Sequence, residues 1–174
     1  AVQYGYDFSQ IATGAIARAE TPGEHIRVVG RVIDGAGEAI PGALVEVWQA
    51  DAEGLYPAPE AFEDKNAFHG FGRVGTGTDP ENRFIFDTIK PGGHGGEAPH
   101  LNVVLTMRGL LLHAFTRIYF SDEAKANAAC PILTLVPAER RHTLIARRRE
   151  TPGGPVYDSD IHMQGNDETV FFDL

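Results

Sequence analysis

The residues best suited to chemistry in this sequence are His100 and Asn102, which are separated by Leu101. Positions i and i+2 of a strand project from the same face, so this spacing could present two ligands to one metal ion. An amide is a poor ligand for a transition metal, however, which weakens half of the pair. The spacing alone therefore favours the alternative, a partly buried histidine that is satisfied by hydrogen bonds.

Arg108 is the second candidate, because it follows His100 by eight residues and falls on the same face of the predicted strand. At the rise of a β-strand, eight residues span about 26 Å, so the two side chains cannot serve one pocket unless the chain bends sharply. Arg108 is then either an exposed or ion-paired surface residue, which the spacing alone favours, or it serves a different pocket on another chain.

The remaining candidates carry weaker signals. His69 and His94 lie in predicted loops and could reach His100, but their spacing does not require it. Cys130 stands between alanine and proline, an apolar setting typical of a structural thiol. The sequence contains neither a Gly-x-Ser-x-Gly nucleophile pattern nor a glycine-rich phosphate loop. A solvated helix face, rather than a binding patch, is predicted for the arginines at 140, 141 and 147–149.

Length and charge limit the class of protein. A chain of 174 residues is most simply one domain, and its net charge of −9 disfavours nucleic acid and anionic membranes as partners. The single cysteine and the lack of a long apolar run favour a cytoplasmic location. The sequence starts at Ala-Val-Gln without a methionine. We therefore treat 1–24 as an N-terminal segment, incomplete if residues precede it, and 25–174 as the folded domain.

The elements that position these residues are predicted to be strands joined by turns, since the chain has 20 glycines and 11 prolines. Residues 98–108 alternate, with Leu101, Val103, Leu105 and Met107 on one face, which predicts a half-buried strand. Similar apolar or β-branched stretches predict further strands. These are residues 25–34, 44–50, 73–78, 83–89, 110–120, 156–163 and 168–172.

Two short helices are predicted, near residues 121–131 and 137–148. Ser121 is expected to cap the first helix, Pro131 to end it, and Pro137 to begin the second. Residues 51–72 form a long connection of the kind that is more often functional than idle. Seven or eight strands with two short helices indicate an all-β fold, specifically a β-sandwich.

Several segments occur in an order that matches a known family. They are residues 45–56, 71–73, 89–92, 98–100 and 116–120. Together they resemble the intradiol ring-cleavage dioxygenases, and the resemblance extends from about Pro22 to the C-terminus. Residues 122–131 and 164–172 look like the α chain, rather than the β chain, of members built from two kinds of chain.

The resemblance implies a metal centre with a defined set of ligands. This sequence departs from that set. Family members hold Fe(III) with two tyrosines and two histidines, and the bound catechol reacts with dioxygen so that its ring opens between the two hydroxyl-bearing carbons. His100 matches the first histidine, but Asn102 stands in the place of the second. The tyrosine-bearing stretches match residues 57–72 and 93–98, which contain no tyrosine. The resemblance therefore implies that this chain lacks three of four ligands and binds no iron.

The departure is itself typical of the family's α chains. In two-chain members both chains share the sandwich fold, the β chain holds Fe(III), and the active site lies near their interface. An arginine of the α chain at the position of Arg108 projects toward the partner's pocket, where the substrate carries a carboxylate. The resemblance thus implies an iron-bearing β chain as partner in a hetero-oligomer, Arg108 as a substrate-binding residue, and no catalytic or metal-binding residue in this chain. The family's N-terminal arm, with its Thr-x-Gly-Pro-type segment, has no match in residues 1–24.

Two other hypotheses stay open on the sequence alone. The sandwich could be a non-enzymatic binding or carrier module with no enzyme partner. It could also be an independent metalloenzyme that uses His69, His94 and His100 with a metal other than ferric iron.

Overall fold

The computed structural model, which describes residues 13–64 and 66–173, is built from nine strands and short helices. The strands are β1 (His25–Ile33), β2 (Ala43–Trp48), β3 (Phe71–Gly75), β4 (Arg83–Ile89), β5 (His100–Met107), β6 (Ala114–Phe120), β7 (Ile145–Thr151), β8 (Gly154–Asp158) and β9 (Ile161–His162). The helices are α1 (Ala124–Ala129) and α2 (Pro131–Leu135), with 3₁₀ turns at Pro59–Glu63, Thr76–Thr78 and Ala138–Leu144. Half of the predicted N-terminal segment, residues 1–12, lies outside the described residues. Within the described part, no helix has the length and apolar character needed to cross a membrane.

The strands pair in the order β3-β2-β5-β6-β7-β8-β1-β4, with β9 beside β1. Only two residue pairs join β6 to β7, so the order divides there into two four-stranded layers. Most neighbours are antiparallel, whereas β6 and β7, β1 and β8, and β1 and β9 run parallel. The layers share one core, as the predicted β-sandwich requires.

The core confirms the predicted alternation of β5. Leu101, Val103 and Leu105 have no exposed surface, while the intervening side chains are partly exposed. They pack in one cluster with apolar residues of both layers, including Val45 on β2 and Phe86 on β4. Burying each such side chain stabilises the fold by about 1.5–3 kcal/mol, which fixes the register of β5 and hence the direction of its polar face.

A second, smaller core covers one end of β5 and β6. Tyr119 of β6 packs with Cys130, Leu133 of α2, Val136 and Leu144 in this cluster. Cys130 is fully buried, in agreement with the prediction of a structural thiol. The two short helices therefore lie over the outer side of the layer that contains β5.

The predicted second helix, residues 137–148, is wrong. A 3₁₀ turn at Ala138–Leu144 leads directly into β7, which pairs with β8 over five residues. Pairing between strands outweighs the local helix signal here, and the arginines at 147–149 lie on a strand rather than at a helix end. Pro131 begins α2 instead of ending a helix, and Ser121 does not cap α1, since its hydroxyl accepts a hydrogen bond from the Arg148 backbone.

Three predicted strands differ in extent from the observed ones. The stretch 156–163 is divided into β8 and β9, and 168–172 contributes only an isolated bridge between Phe115 and Phe172. The strand predicted over 110–120 begins only at Ala114. The apolar residues before it lie in the turn between β5 and β6, where they are not needed for the core.

Candidate functional site

The polar face of β5 is set by its pairing with β6. His100 lies opposite Tyr119, and Asn102 lies opposite Arg117, in antiparallel register. Side chains directly opposite one another on one face of a sheet are in contact range. The pair singled out in the sequence therefore meets two residues of the neighbouring strand.

His100 is held in one orientation by the chain next to it. Its ring is 4% exposed, and Nδ1 donates a hydrogen bond of 2.8 Å to the carbonyl of Ala98. Nε2 lies 3.6 Å from a carboxylate oxygen of Glu97, which is too long for a hydrogen bond. Burial lowers the pKa of His100, and the nearby positive charge of Arg117 acts in the same direction. The imidazole is therefore neutral at pH 7, with its Nε2 lone pair directed toward Glu97.

Arg117 is the charged centre of this group. Its Nη1 lies 2.8 Å from Glu97 Oε2 and 3.3 Å from the hydroxyl of Tyr119. Burial opposes its ionisation, but the contacts with Tyr119 and Glu97 outweigh burial and raise the pKa of Arg117. Burial raises the pKa of Tyr119 to about 12, even though Arg117 favours the phenolate. Glu97 and Arg117 thus form an ion pair beside a phenol that keeps its proton.

Asn102 makes a local hydrogen-bond network of its own. Its Nδ2 donates to the hydroxyl of Tyr56 at 2.9 Å and to the carbonyl of Trp48 at 3.3 Å. Burial raises the pKa of Tyr56, so this phenol also stays protonated. The Tyr56 ring stacks on Trp48 and meets the edge of His94. Asn102 is therefore satisfied within the chain.

An open cavity of about 680 Å³ borders these residues. Its floor is the outer face of β2, β5 and β6, including Asn102 and Arg117. Its walls come mainly from α2 and the C-terminal segment. The apolar lining includes Trp48, Phe71, Val104, Ile132, Leu135 and Phe172.

The other histidines named in the sequence have separate partners. Nε2 of His69 lies 2.9 Å from the carbonyls of both Ala61 and Asp64. Nδ1 of His94 lies 2.7 Å from the carbonyl of Gly54. In residues 13–64 and 66–173, no three or more histidine, cysteine, aspartate or glutamate side chains are grouped to hold a metal ion.

Arg108 lies at the opposite end of β5 from His100, in the turn that leads to β6. It is exposed and forms no hydrogen bond or ion pair with any residue that the structure describes. Gly109 follows with φ of +93°, a conformation that glycine adopts most readily. Leu111 and Leu112, near the tip of this turn, are 101% and 79% exposed. We call residues 108–113 the β5–β6 hairpin loop.

Sequence reasoning missed the residues that surround His100. Glu97 precedes His100 by three residues, and Arg117 and Tyr119 share one face of a strand that was predicted. Their i, i+2 spacing was the available signal, but only the register of β5 against β6 places them opposite Asn102 and His100. A register between two strands that are separated by a loop cannot be read from their composition.

Comparison with known proteins gives a consistent picture. The family model described as "Dioxygenase" matches residues 8–163. The chain is 54% identical to the protocatechuate 3,4-dioxygenase alpha chain of Burkholderia cepacia, over 99% of this chain and 88% of that protein. It is 46% identical to the alpha chain of the Pseudomonas putida enzyme, over 91% of this chain and 81% of the other. It is also 34% identical to the Burkholderia cepacia beta chain, over 91% and 72%.

Solved structures share the fold at lower identity. The dioxygenase domain of a dioxygenase–carbohydrate-binding fusion from Streptomyces sp. SirexAA-E aligns with a TM-score of 0.66 at 24% identity, over 91% of this chain and 89% of that one. An intradiol ring-cleavage dioxygenase from Tetranychus urticae aligns with a TM-score of 0.65 at 18% identity, over 87% and 85%. The resemblance found in the sequence is confirmed, and the chain belongs to the family of intradiol ring-cleavage dioxygenases.

Proposed function

We propose that this chain is the α subunit of a protocatechuate 3,4-dioxygenase. In that assembly a β chain holds Fe(III), and the enzyme cleaves the ring of 3,4-dihydroxybenzoate with dioxygen to 3-carboxy-cis,cis-muconate. The observation that carries the proposal is the 54% identity to an alpha chain over 99% of this sequence, against 34% to the beta chain of the same organism. We also propose a cytoplasmic location and residues 25–174 as the dioxygenase-like domain.

The donor groups near His100 support the assignment of iron to the partner. Ferric iron in this family is held by phenolates and neutral imidazoles, and a phenol must lose its proton to serve. Here one imidazole is present, Asn102 replaces the second, and the phenols of Tyr56 and Tyr119 have raised pKa values. The positive charge of Arg117 lies among them. This set of groups does not fit Fe(III).

The hairpin loop supports a role for Arg108 at the partner's active site. A guanidinium can bind a substrate carboxylate through two parallel hydrogen bonds. Arg108 has no competing anion among the described residues, so it is available for such a bond. Leu111 and Leu112 expose an apolar surface next to it, which is typical of a segment that a partner covers. We therefore assign Arg108 to the carboxylate of protocatechuate, across the α–β interface.

The test replaces Arg108 in the assembled α–β enzyme. For Arg108→Ala we expect kcat/KM for protocatechuate to fall about 30- to 160-fold, because a charge-assisted hydrogen bond contributes about 2–3 kcal/mol. The iron content of the complex should not change. Catechols that lack a carboxylate should be cleaved as by the unmodified enzyme, since they make no bond to Arg108.

The control is Arg147→Ala, which removes another exposed arginine on β7. It should leave both substrates unaffected. Unchanged kinetics of Arg108→Ala, or an equal loss for substrates with and without a carboxylate, would contradict the role of Arg108. The assignment of iron to the partner has a separate test. A tyrosinate-to-iron absorption band in the α chain purified alone would contradict it.

A further inference from the structure

The side chains around His100 still include groups that bind metals. Its Nδ1 is fixed by a backbone carbonyl at 2.8 Å, which leaves Nε2 with its lone pair free. Metal-binding histidines are commonly oriented in this way, through a hydrogen bond from the other ring nitrogen. A carboxylate, that of Glu97, lies 3.6 Å in front of this lone pair. An imidazole and a carboxylate thus face the same point.

A cationic side chain already pairs with that carboxylate. Nη1 of Arg117 is 2.8 Å from the Glu97 oxygen that faces His100, and it lies 3.3 Å from the hydroxyl of Tyr119. The side chains of Glu97 and Arg117 are only 25% and 21% exposed, so water screens this charge incompletely. An arginine keeps its charge at every pH at which proteins are folded. The negative charge of the Glu97 carboxylate is therefore balanced by a permanent positive charge.

The position of Arg117 follows from the sheet. Arg117 stands directly opposite Asn102, where a second metal ligand on β5 would project. A metal ion held by side chains at positions 100 and 102 would lie next to the guanidinium and would meet a like charge. The missing histidine is thus one of two obstacles to metal binding.

We propose that Arg117 takes the place of a metal ion in this chain, so that its guanidinium, paired with Glu97, excludes cations from a site that retains metal-binding groups. The proposal predicts that restoring a ligand is not sufficient. Both the amide of Asn102 and the charge of Arg117 must be replaced before a metal can bind. The inference stands whether or not Arg108 contacts a substrate.

The experiment measures Co²⁺ binding by the full chain, using its visible absorption and the bound stoichiometry. Asn102→His, Arg117→Gln, and the double variant Asn102→His/Arg117→Gln are compared with the unmodified chain. The double variant offers two imidazoles and one carboxylate, a common set for divalent transition metals. We expect it to bind one Co²⁺ per chain at least 100-fold more tightly than the unmodified chain, and each single variant to stay within threefold of it.

The matched control is Asn102→His/Arg117→Lys, which restores the ligand but keeps the positive charge. It should bind no better than the unmodified chain. Tight binding by Asn102→His alone or by the lysine control would overturn the proposal, as would a folded double variant that binds no Co²⁺. Circular dichroism checks folding, and Arg117→Met replaces Arg117→Gln if the glutamine variant is unfolded. Because no substrate is used, a failure here leaves the role of Arg108 to its own test.

Discussion

The two ends of β5 present polar side chains in opposite environments. At one end His100 is 4% exposed, Asn102 bonds to Tyr56, and Arg117 is paired with Glu97. At the other end Arg108 is exposed and has no partner in the described part of the chain. Both ends lie on one strand with a single register, so the difference arises from what surrounds each end.

The two ends differ in whether their polar side chains already have hydrogen-bond partners within the chain. A polar group whose hydrogen bonds are made within the chain offers little to a ligand, because binding would first have to break those bonds. An unpaired arginine beside the exposed Leu111 and Leu112 loses no internal contact on binding. We call the end at His100 the closed end, because its polar groups are bonded to one another although a cavity borders Asn102 and Arg117. We call the end at Arg108 the open end.

The largest expected effect concerns the open end. Leu111→Asp combined with Leu112→Asp should weaken association with the β chain at least 100-fold, since burying a leucine side chain contributes about 1.5–3 kcal/mol. The free energy of unfolding of the isolated chain should change by less than about 0.5 kcal/mol, because both side chains are already in water. Analytical ultracentrifugation and urea denaturation measure the two quantities.

A control places one such charge elsewhere on the surface. Ala128→Asp, at an exposed position of α1, should leave association within threefold of that of the unmodified chain. If the leucine variants associate normally, the hairpin loop is not the contact surface, and the two ends of β5 differ only in exposure.

The next effect concerns the closed end. Glu97→Gln keeps the shape of the side chain but leaves Arg117 without its carboxylate partner in a largely buried position. We expect a loss of about 2 kcal/mol in the free energy of unfolding, below the range for fully buried pairs because both side chains keep some exposure. Urea denaturation at pH 7.5 measures it.

Glu81→Gln serves as the comparison, since Glu81 is 58% exposed and pairs with Arg31. It should cost less than about 0.5 kcal/mol, as surface ion pairs usually do. An equally small loss for Glu97→Gln would mean that the closed end is held together by packing rather than by its charges.

The sequence predicted the fold class because the alternation of β5 and its neighbours reflects burial on one face, which is a local property. The prediction from sequence was wrong where pairing with distant strands decides the structure. Residues 145–151 carry a helix-like run of arginines, yet they pair with β8 and extend the sheet. Residues 110–112 are apolar and are predicted as part of a strand, but no strand among the described residues pairs with them, and Leu111 is fully exposed.

The candidate site was predictable only in part, for the same reason. His100 and Asn102 could be singled out from i, i+2 spacing, whereas Arg108 became a site candidate only through the family resemblance, since spacing alone favoured a surface residue. Glu97 precedes His100 by three residues, but Arg117 and Tyr56 come from two other parts of the chain, and only the folded structure brings them to Asn102 and His100. The exposed leucines gave a misleading signal, because an apolar residue at the surface looks in the sequence like one in the core.

The smallest expected effect tests whether the imidazole of the closed end is neutral. Burial lowers the pKa of His100, and the ring faces Glu97, Arg117 and His94. An unfolded histidine has a pKa of about 6.5, so the unfolded chain takes up a proton that folded His100 does not, and stability falls as the pH drops through that value.

Between pH 7.5 and 5.5 this single group should cost the unmodified chain up to about 1.4 kcal/mol. His100→Gln removes that contribution, so the difference in unfolding free energy between the two chains should narrow as the pH falls. Urea denaturation at four pH values measures both curves. Parallel curves would mean that His100 titrates alike in the folded and unfolded chains, which would contradict the effect of burial. A difference that widens as the pH falls would mean that Glu97 keeps the ring protonated in the folded chain, so that its carboxylate is shared between two cations.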